Sequence, residues 1–343
     1  MTTSTNLREE LALNEYDESY KGRLFQISQE QFKTLGKRSK WILPAYVAFN
    51  WITIFAIVRV YFYLNNPWAY PLFLFLIAGR QGAFLNLAHE MVHRTWEASE
   101  RLTDFVGKWF CCSAIGMDYK GYHAVHVQHH LYTNQEMDPP SDREKYKVVD
   151  LKKLQFWLLF LKDLSGLTAL QVFLAYFNKN KEKAQSDFQP RSLKNSPLAK
   201  LFSLAVPNLF IFLVIFRGSL WHYAVLWLFP ACSIHMFLMR VRGLGEHGLG
   251  LQLGVPDLMT KKGQGLLYTR STLWYKNGIF GLLEKLSIAS VGVNYHHEHH
   301  LFPSVPFHNL PKLHRLVRDT VVQYNPRVYA DSYFKSAFFP PKV

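Results

Sequence analysis

The chain has little cysteine and no arrangement that would use it. Cys111, Cys112 and Cys232 are the only three in 343 residues. They have neither the paired spacing of a thiolate metal site nor the even count of a disulfide framework, which points to reduced thiols in a cytoplasmic or membrane setting. A basic amino-terminal region leading into a short apolar core is also missing. Met1 is followed by Thr2, Thr3, Ser4 and Thr5 and then by charged residues, so no cleavable signal is expected. There is no low-complexity segment and no internal repeat beyond two apolar hairpins. Acidic residues are in deficit, 25 against 39 basic ones, for a net charge of +14. Nucleic-acid binding would call for a basic stripe with aromatic platforms on a soluble fold. Here the basic residues instead flank apolar runs, the pattern of contact with anionic headgroups and of positive-inside topology. Mean hydropathy is −0.05, an average that looks soluble only because polar and apolar segments cancel.

The apolar residues are bunched. Residues 1–36 read as a polar cytoplasmic lead-in with short helices. Lys37, Arg38 and Lys40 then precede a run from Trp41 to about Leu64, long enough at ~1.5 Å per residue to cross ~30 Å of hydrocarbon. Asn65, Asn66 and Pro67 make a turn, and a second run returns from about Trp68 to Ala88. Arg80 interrupts it and is expected to point inward, as intramembrane charges do, either onto a partner or a carbonyl or as a wall of a substrate tunnel or a support for a metal site. Residues 103–117 are too short to span and read as a buried or interfacial helix. An amphipathic stretch over 154–177 is broken at Lys162, Asp163, Ser165 and Gly166, which favours helices lying on the membrane. A basic loop is expected over 178–200. Leu201–Phe216 and Leu220–Met239 form a second hairpin, stopped by Arg240 and Arg242. The outer turns carry almost no basic residues and the flanks carry many. Both termini and everything chemically notable are therefore expected on the cytoplasmic side. The fold class expected is all-α: four transmembrane helices in two hairpins under a cytoplasmic helical cap. The expected domains are a lead-in at 1–36, a membrane domain at 37–320 and a tail at 321–343.

Eight of the 15 histidines stand in three boxes. His89 and His93 are four residues apart. His126, His129 and His130 repeat at i, i+3, i+4, and so do His296, His299 and His300. On a helix these spacings share a face, so each box should present its imidazoles in one direction. Imidazole suits zinc, copper, iron and nickel. Eight rings exceed one ion's coordination, so two metals are expected, with His247 as a ninth donor. Glu90, Glu246, Glu298 and Asp138 are the carboxylates that could accept the outer ring N–H groups and orient the ligands. His297 lies about 100° round the helix from His296 and is read as a bystander. His123 is a candidate for a supporting place. His-Glu-x-x-His at 89–93 is also a zinc-protease spacing with Glu90 as base. That reading leaves the other two boxes unexplained.

Three boxes in the order HxxxH, HxxHH, HxxHH, separated by two membrane hairpins, resemble the membrane-bound fatty acid desaturase/hydroxylase superfamily, the integral-membrane di-iron enzymes, over roughly residues 40–320. The contexts His126-Val127-Gln128-His129-His130 with Asp138, and Asn294-Tyr295-His296-His297-Glu298-His299-His300, agree with it. The resemblance implies two iron ions at the cytoplasmic face, with His247 as a further ligand and Asn294 near the metals. It implies oxidation of an unactivated C–H bond with O2, most simply desaturation of an acyl chain on a lipid or carrier. Hydroxylation of an acyl or sphingolipid chain, or carotenoid ring ketolation or hydroxylation, are the alternatives within the superfamily. Three intervening residues in the first box are closer to the methyl-end, sphingolipid and carotenoid branches than to the acyl-CoA branch. Arg94 after the first box, where many members have glycine, and the extra His123 depart from the pattern. No His-Pro-Gly-Gly stretch marks a fused cytochrome b5, so electrons are expected from an external donor, ferredoxin or cytochrome b5.

Overall fold

The computed structural model describes residues 17–135, 138–139, 154–176, 197–249 and 265–339. Most of the expected basic loop at 178–200 lies outside them, as do residues 1–16 of the lead-in and the last four residues.

Two short capped helices open the described chain, α1 (Glu18–Leu24) and α2 (Gln29–Leu35). Asp17 accepts from Tyr20 N at the first. Ser28 and Gln31 form a reciprocal capping box at the second, satisfying two amides that a helix start leaves open. The described part of the lead-in, from residue 17, is tied down. Phe25, Ile27 and Leu35 are buried, and the Glu18 carboxylate accepts from Ser304 N at 3.0 Å.

α3 (Ile42–Leu64) and α4 (Tyr70–Val92) form the first long hairpin. α3 stops at Asn65, whose φ of 41° is left-handed, a conformation asparagine tolerates better than most residues. Asn66 then caps a 3-10 turn at Pro67–Ala69. Trp41 and Trp68 stand almost fully exposed near opposite ends of α3, where a membrane interface would hold aromatic rings. Among the described residues, three helices are long and apolar enough to cross a membrane: Ile42–Leu64, Pro67–Val92 and α10 (Leu220–His247). Between them run α5 (Glu100–Val106), which continues through a π-helical turn to Cys112 and a 3-10 turn at Ser113–Ile115, then α6 (Tyr119–Leu131), α7 (Leu154–Leu164), α8 (Leu167–Tyr176) and α9 (Pro197–Phe210). The 100–115 segment buries Cys111, Cys112 and Ala114 and exposes Leu102, Phe105 and Phe110. α7 and α8 meet at 75°, the break falling at Ser165 and Gly166. α9, with its π turn to Ile215, is shorter than the three long helices.

Two sequence expectations change. α10 does not stop at Arg240 and Arg242 but continues through them to His247, so His247 is the last residue of the helix rather than a residue beyond it. The arginines fit inside because each finds a carboxylate. Arg240 Nη2 donates to Asp163 Oδ1 at 2.9 Å, and Arg242 Nε donates to Glu246 at 2.9–3.0 Å. Buried guanidinium groups persist when so paired. Asp163 itself is fully buried, a clasp between α7 and α10 and not a solvated break. The segment expected as a tail from 321 also packs. Tyr324, Val328, Tyr333 and Ala337 are buried. β2 (Tyr329–Ala330) pairs in parallel with β1 (Ser271–Thr272), a small departure from an all-helical chain.

The described chain closes with α11 (Gly278–Ser287), α12 (His296–Leu301), α13 (Leu310–Tyr324) and α14 (Tyr333–Phe338). α11 lies against α4 so closely that a β-carbon at Gly79 would stand 2.7 Å from Leu286 O. Beside it, Arg80 Nη2 donates to the same carbonyl at 2.6 Å, the carbonyl contact expected of an intramembrane arginine.

Candidate metal centre

Four helices bring the boxes together. The last turn of α4 carries His89, and His93 caps its end. α6 carries the second box, α10 ends on His247, and α12 is little more than the third box itself.

The nine expected imidazoles sort into two groups. Donor atoms of His89, His93, His126, His130 and His299 all lie within 4.8 Å of one another, and so do those of His129, His247 and His300, with His296, His247 and Glu246 forming an overlapping set. The expectation that each box faces one way is therefore too simple, because boxes two and three each supply both groups. In α6 the i, i+4 pair His126 and His130 serves the first group and His129 the second. In α12 the i, i+4 pair His296 and His300 serves the second group and His299 the first. His130, of the first group, and His300, of the second, stack with ring centroids 4.2 Å apart.

Nitrogens point at nitrogens. His93 Nε2 and His126 Nε2 are 2.8 Å apart, His296 Nε2 and His247 Nε2 2.7 Å, and His299 Nε2 and His130 Nε2 3.1 Å. His89 Nε2, His299 Nδ1 and His300 Nε2 are buried with no hydrogen-bond partner. A buried polar atom left in that state costs ~1–3 kcal/mol. Burial, and after it the neighbouring rings, hold His126, His130, His296, His299 and His300 well below the usual imidazole range. His93 is lowered to about 3 for the same reasons. The rings are thus neutral near pH 7, with lone pairs available, and the donor set fits borderline metal ions of the iron and zinc kind.

Around the rings, the expected carboxylates divide. Asp138 Oδ1 accepts from His129 Nδ1 at 2.8 Å, and its other oxygen accepts from Asn134 N at 2.8 Å. Glu246 stands 3.4 Å from His296 Nδ1 and Glu90 3.4 Å from His89 Nδ1. Glu90 Oε2 also accepts from Thr95 Oγ1 at 2.7 Å and Phe307 N at 3.1 Å, which fixes the carboxylate with its other oxygen toward His89. Glu298 does not reach a box imidazole. It accepts from His314 Nδ1 at 2.5 Å and from Ser271 Oγ. Burial pushes its carboxyl up, but His314 together with His297 and the Ser271 hydrogen bond leaves it below the usual range. It faces away because α12 points His296, His299 and His300 at the two groups and leaves the next face for α13. Asn294 is buried with no partner for either amide atom, and its backbone carbonyl accepts from Thr272 N. His297 is turned away. Its Nδ1 meets Thr269 Oγ1 at 2.7 Å and its Nε2 meets the Tyr324 hydroxyl, as its helical phase indicated. His123 joins neither group.

Several supporting residues escaped the sequence reading. Arg242 Nη1 donates to Asn86 Oδ1 at 2.5 Å while its Nε holds Glu246. Tyr333 OH donates to Glu246 Oε1 at 3.1 Å, and Thr133 Oγ1 lies 3.2 Å from His300 Nδ1. The i, i+4 spacing of Arg242 and Glu246 was a legible signal. Nothing linear joins Tyr333 to position 246.

Comparison with known proteins agrees with this geometry. The chain is 26% identical to an omega-3 fatty acid desaturase of chloroplasts from Sesamum indicum, over 80% of this chain and 60% of the relative. It is 25% identical to a dihydrorhizobitoxine desaturase from Bradyrhizobium elkanii, over 73% and 68%. It is 24% identical to an sn-1 acyl-lipid omega-3 desaturase (ferredoxin) from Nostoc, over 76% and 71%. The chain spans about 60% of the length of the chloroplast relatives it matches. The fatty acid desaturase family model matches residues 65–332, a range that holds all three boxes, His247 and the carboxylates around them, and the chain belongs to that family.

Proposed function

We propose that the chain is an oxidoreductase that uses O2 to desaturate a fatty acyl chain held on a lipid or carrier, with an iron ion in each of the two imidazole groups. The observation that carries this reading is the convergence of nine imidazoles into two adjoining groups, three of them, His89, His93 and His247, at the ends of long apolar helices. One group would be held by His89, His93, His126, His130 and His299, the other by His129, His247, His296 and His300. The iron, when bound, supplies the oxidising power that no side chain has. The overall balance is –CH2–CH2– + O2 + 2e⁻ + 2H⁺ → –CH=CH– + 2H2O. The two electrons come from an external donor, ferredoxin or cytochrome b5. A ferredoxin is the donor in the printed name of the Nostoc relative.

The chain's own residues then have three tasks. The helix ends position the imidazoles. Asp138, Glu246 and Glu90 fix ring orientation from behind. The apolar helices receive the acyl chain and keep water from it. In this reading α3, α4, α9 and α10 are four spans, with both termini and the metal centre on the cytoplasmic side. The outer turns at 65–69 and 216–219 hold one basic residue, Arg217, between them, which supports that orientation.

Two measurements test the proposal together. Purified protein should carry about two iron ions per chain. A host membrane expressing it should gain a double bond in its acyl lipids. Stoichiometric zinc without iron, or iron-loaded protein that leaves acyl chains and pigments unchanged beside a working donor, would sink it. New hydroxyl or keto products would move it to another branch of the same superfamily.

A further inference from the structure

We propose that α11 is immersed in the acyl-chain layer of the membrane beside α4, rather than standing in water as part of the cap. The inference rests on the reading of α4 as a span.

The first observation is an inverted face. α11 turns Gly281, Glu284 and Ser287 inward. Glu284 accepts from Ser332 Oγ at 2.5 Å and from Phe334 N at 3.2 Å. Outward it presents Ile279, Phe280, Leu282, Leu283 and Leu286, each 41–72% exposed. A surface helix in water carries the opposite arrangement, and five large apolar side chains on three turns make a patch that needs an apolar neighbour.

The second observation is depth, and it selects lipid as that neighbour. Leu286 O meets Gly79 and Arg80, midway along the 26-residue helix Pro67–Val92. Such a helix is ~39 Å long and the hydrocarbon core is ~30 Å thick, so the midpoint of a helix that crosses the core lies at least ~10 Å inside either boundary. The chain then climbs along α4, with Ser287 O beside Gly82 and Ser290 bonded to Asn86 at 2.9–3.2 Å, and reaches the third box six residues after Ser290. The third observation is the direction of Lys285. Its Nζ turns to Ala289 O at 3.4 Å, toward the metal-centre end of α4, as a lysine does when it snorkels from hydrocarbon toward water.

The test uses the wild-type full chain in phosphatidylcholine vesicles doped with a phospholipid whose acyl chain bears a diazirine. After photolysis, labelled peptides are mapped by mass spectrometry, and hydroxyl-radical footprinting reports water access in parallel. α11 should be labelled from lipid as heavily as α3, several-fold above the exposed face of α13 (Arg315, Asp319, Gln323), and protected from the aqueous radical. Labelling of α3 with α11 at the level of α13 overturns the inference. Protection of α11 from both probes also overturns it, because a second protein surface and not lipid would then cover the face. If α3 is unlabelled as well, the membrane reading itself fails.

Discussion

The two imidazole groups are built from the same residue type and differ in what stands behind it. The five-ring group has one carboxylate at its back, Glu90, 3.4 Å from His89. The four-ring group has two, Asp138 hydrogen-bonded to His129 and Glu246 near His296, with Thr133 behind His300. One group relies on the number of its rings and the other on how firmly its rings are turned. Two ions in neutral shells would leave their charge to these carboxylates, so the four-ring group should hold its metal through orientation and lose it when orientation is lost.

The harshest way to break the comparison is to remove a ring from each side. His126→Ala and His300→Ala should each abolish the acyl product and lower iron content. Product formation surviving either change would mean that the two groups do not act as one centre.

Acidification of metal-free protein comes next. His297, fully buried, is lowered to about 4 and His93 to about 3, against an ordinary 6.5, and five box rings shift the same way. Between those values the unfolded chain binds protons that the folded chain refuses. Stability is therefore full above about pH 6.5, falls as pH drops through that range, and the loss is complete below the folded values. Unfolding followed by circular dichroism should show uptake of several protons. A flat stability between pH 7 and 4.5 would contradict the burial of these rings.

Asp138→Asn sharpens the difference between the groups. It should weaken metal binding ~10–100-fold at the four-ring group and leave the other intact, so that iron falls from about two toward about one per chain under chelator challenge. Equal loss from both groups would remove the asymmetry. Tyr333→Phe takes one donor from Glu246 and should cost about 1 kcal/mol of stability with a modest fall in turnover. His297→Gln should have the smallest effect on the metals. It disturbs a buried bond to Tyr324, about 1–3 kcal/mol in unfolding free energy, with iron content unchanged.

Much of the site was legible because metal ligation demands a rare residue at regular spacing. The boxes and the turn of His297 away from them follow from residue type and helical phase, whereas for His247 and Asp138 the sequence offers candidates that only the fold brings to the rings. The first hairpin was legible because ~20 apolar residues have few other uses. Glu298 was misread because its spacing on α12 says which way it does not point, but not that His314 waits on α13. The end of α10 was misread because an arginine at a helix end looks like a stop until its carboxylate is known, and Asp163 lies 77 residues away from Arg240.

The sequence by itself determined which histidines cluster and how each is phased about its own helix. Only the tertiary structure decided which ring belongs to which group. Helical phase fixes a side chain's direction about its own axis. Whether His129 stands with His126 or with His247 depends on how α6 and α12 face each other, and that is set by packing between segments more than a hundred residues apart.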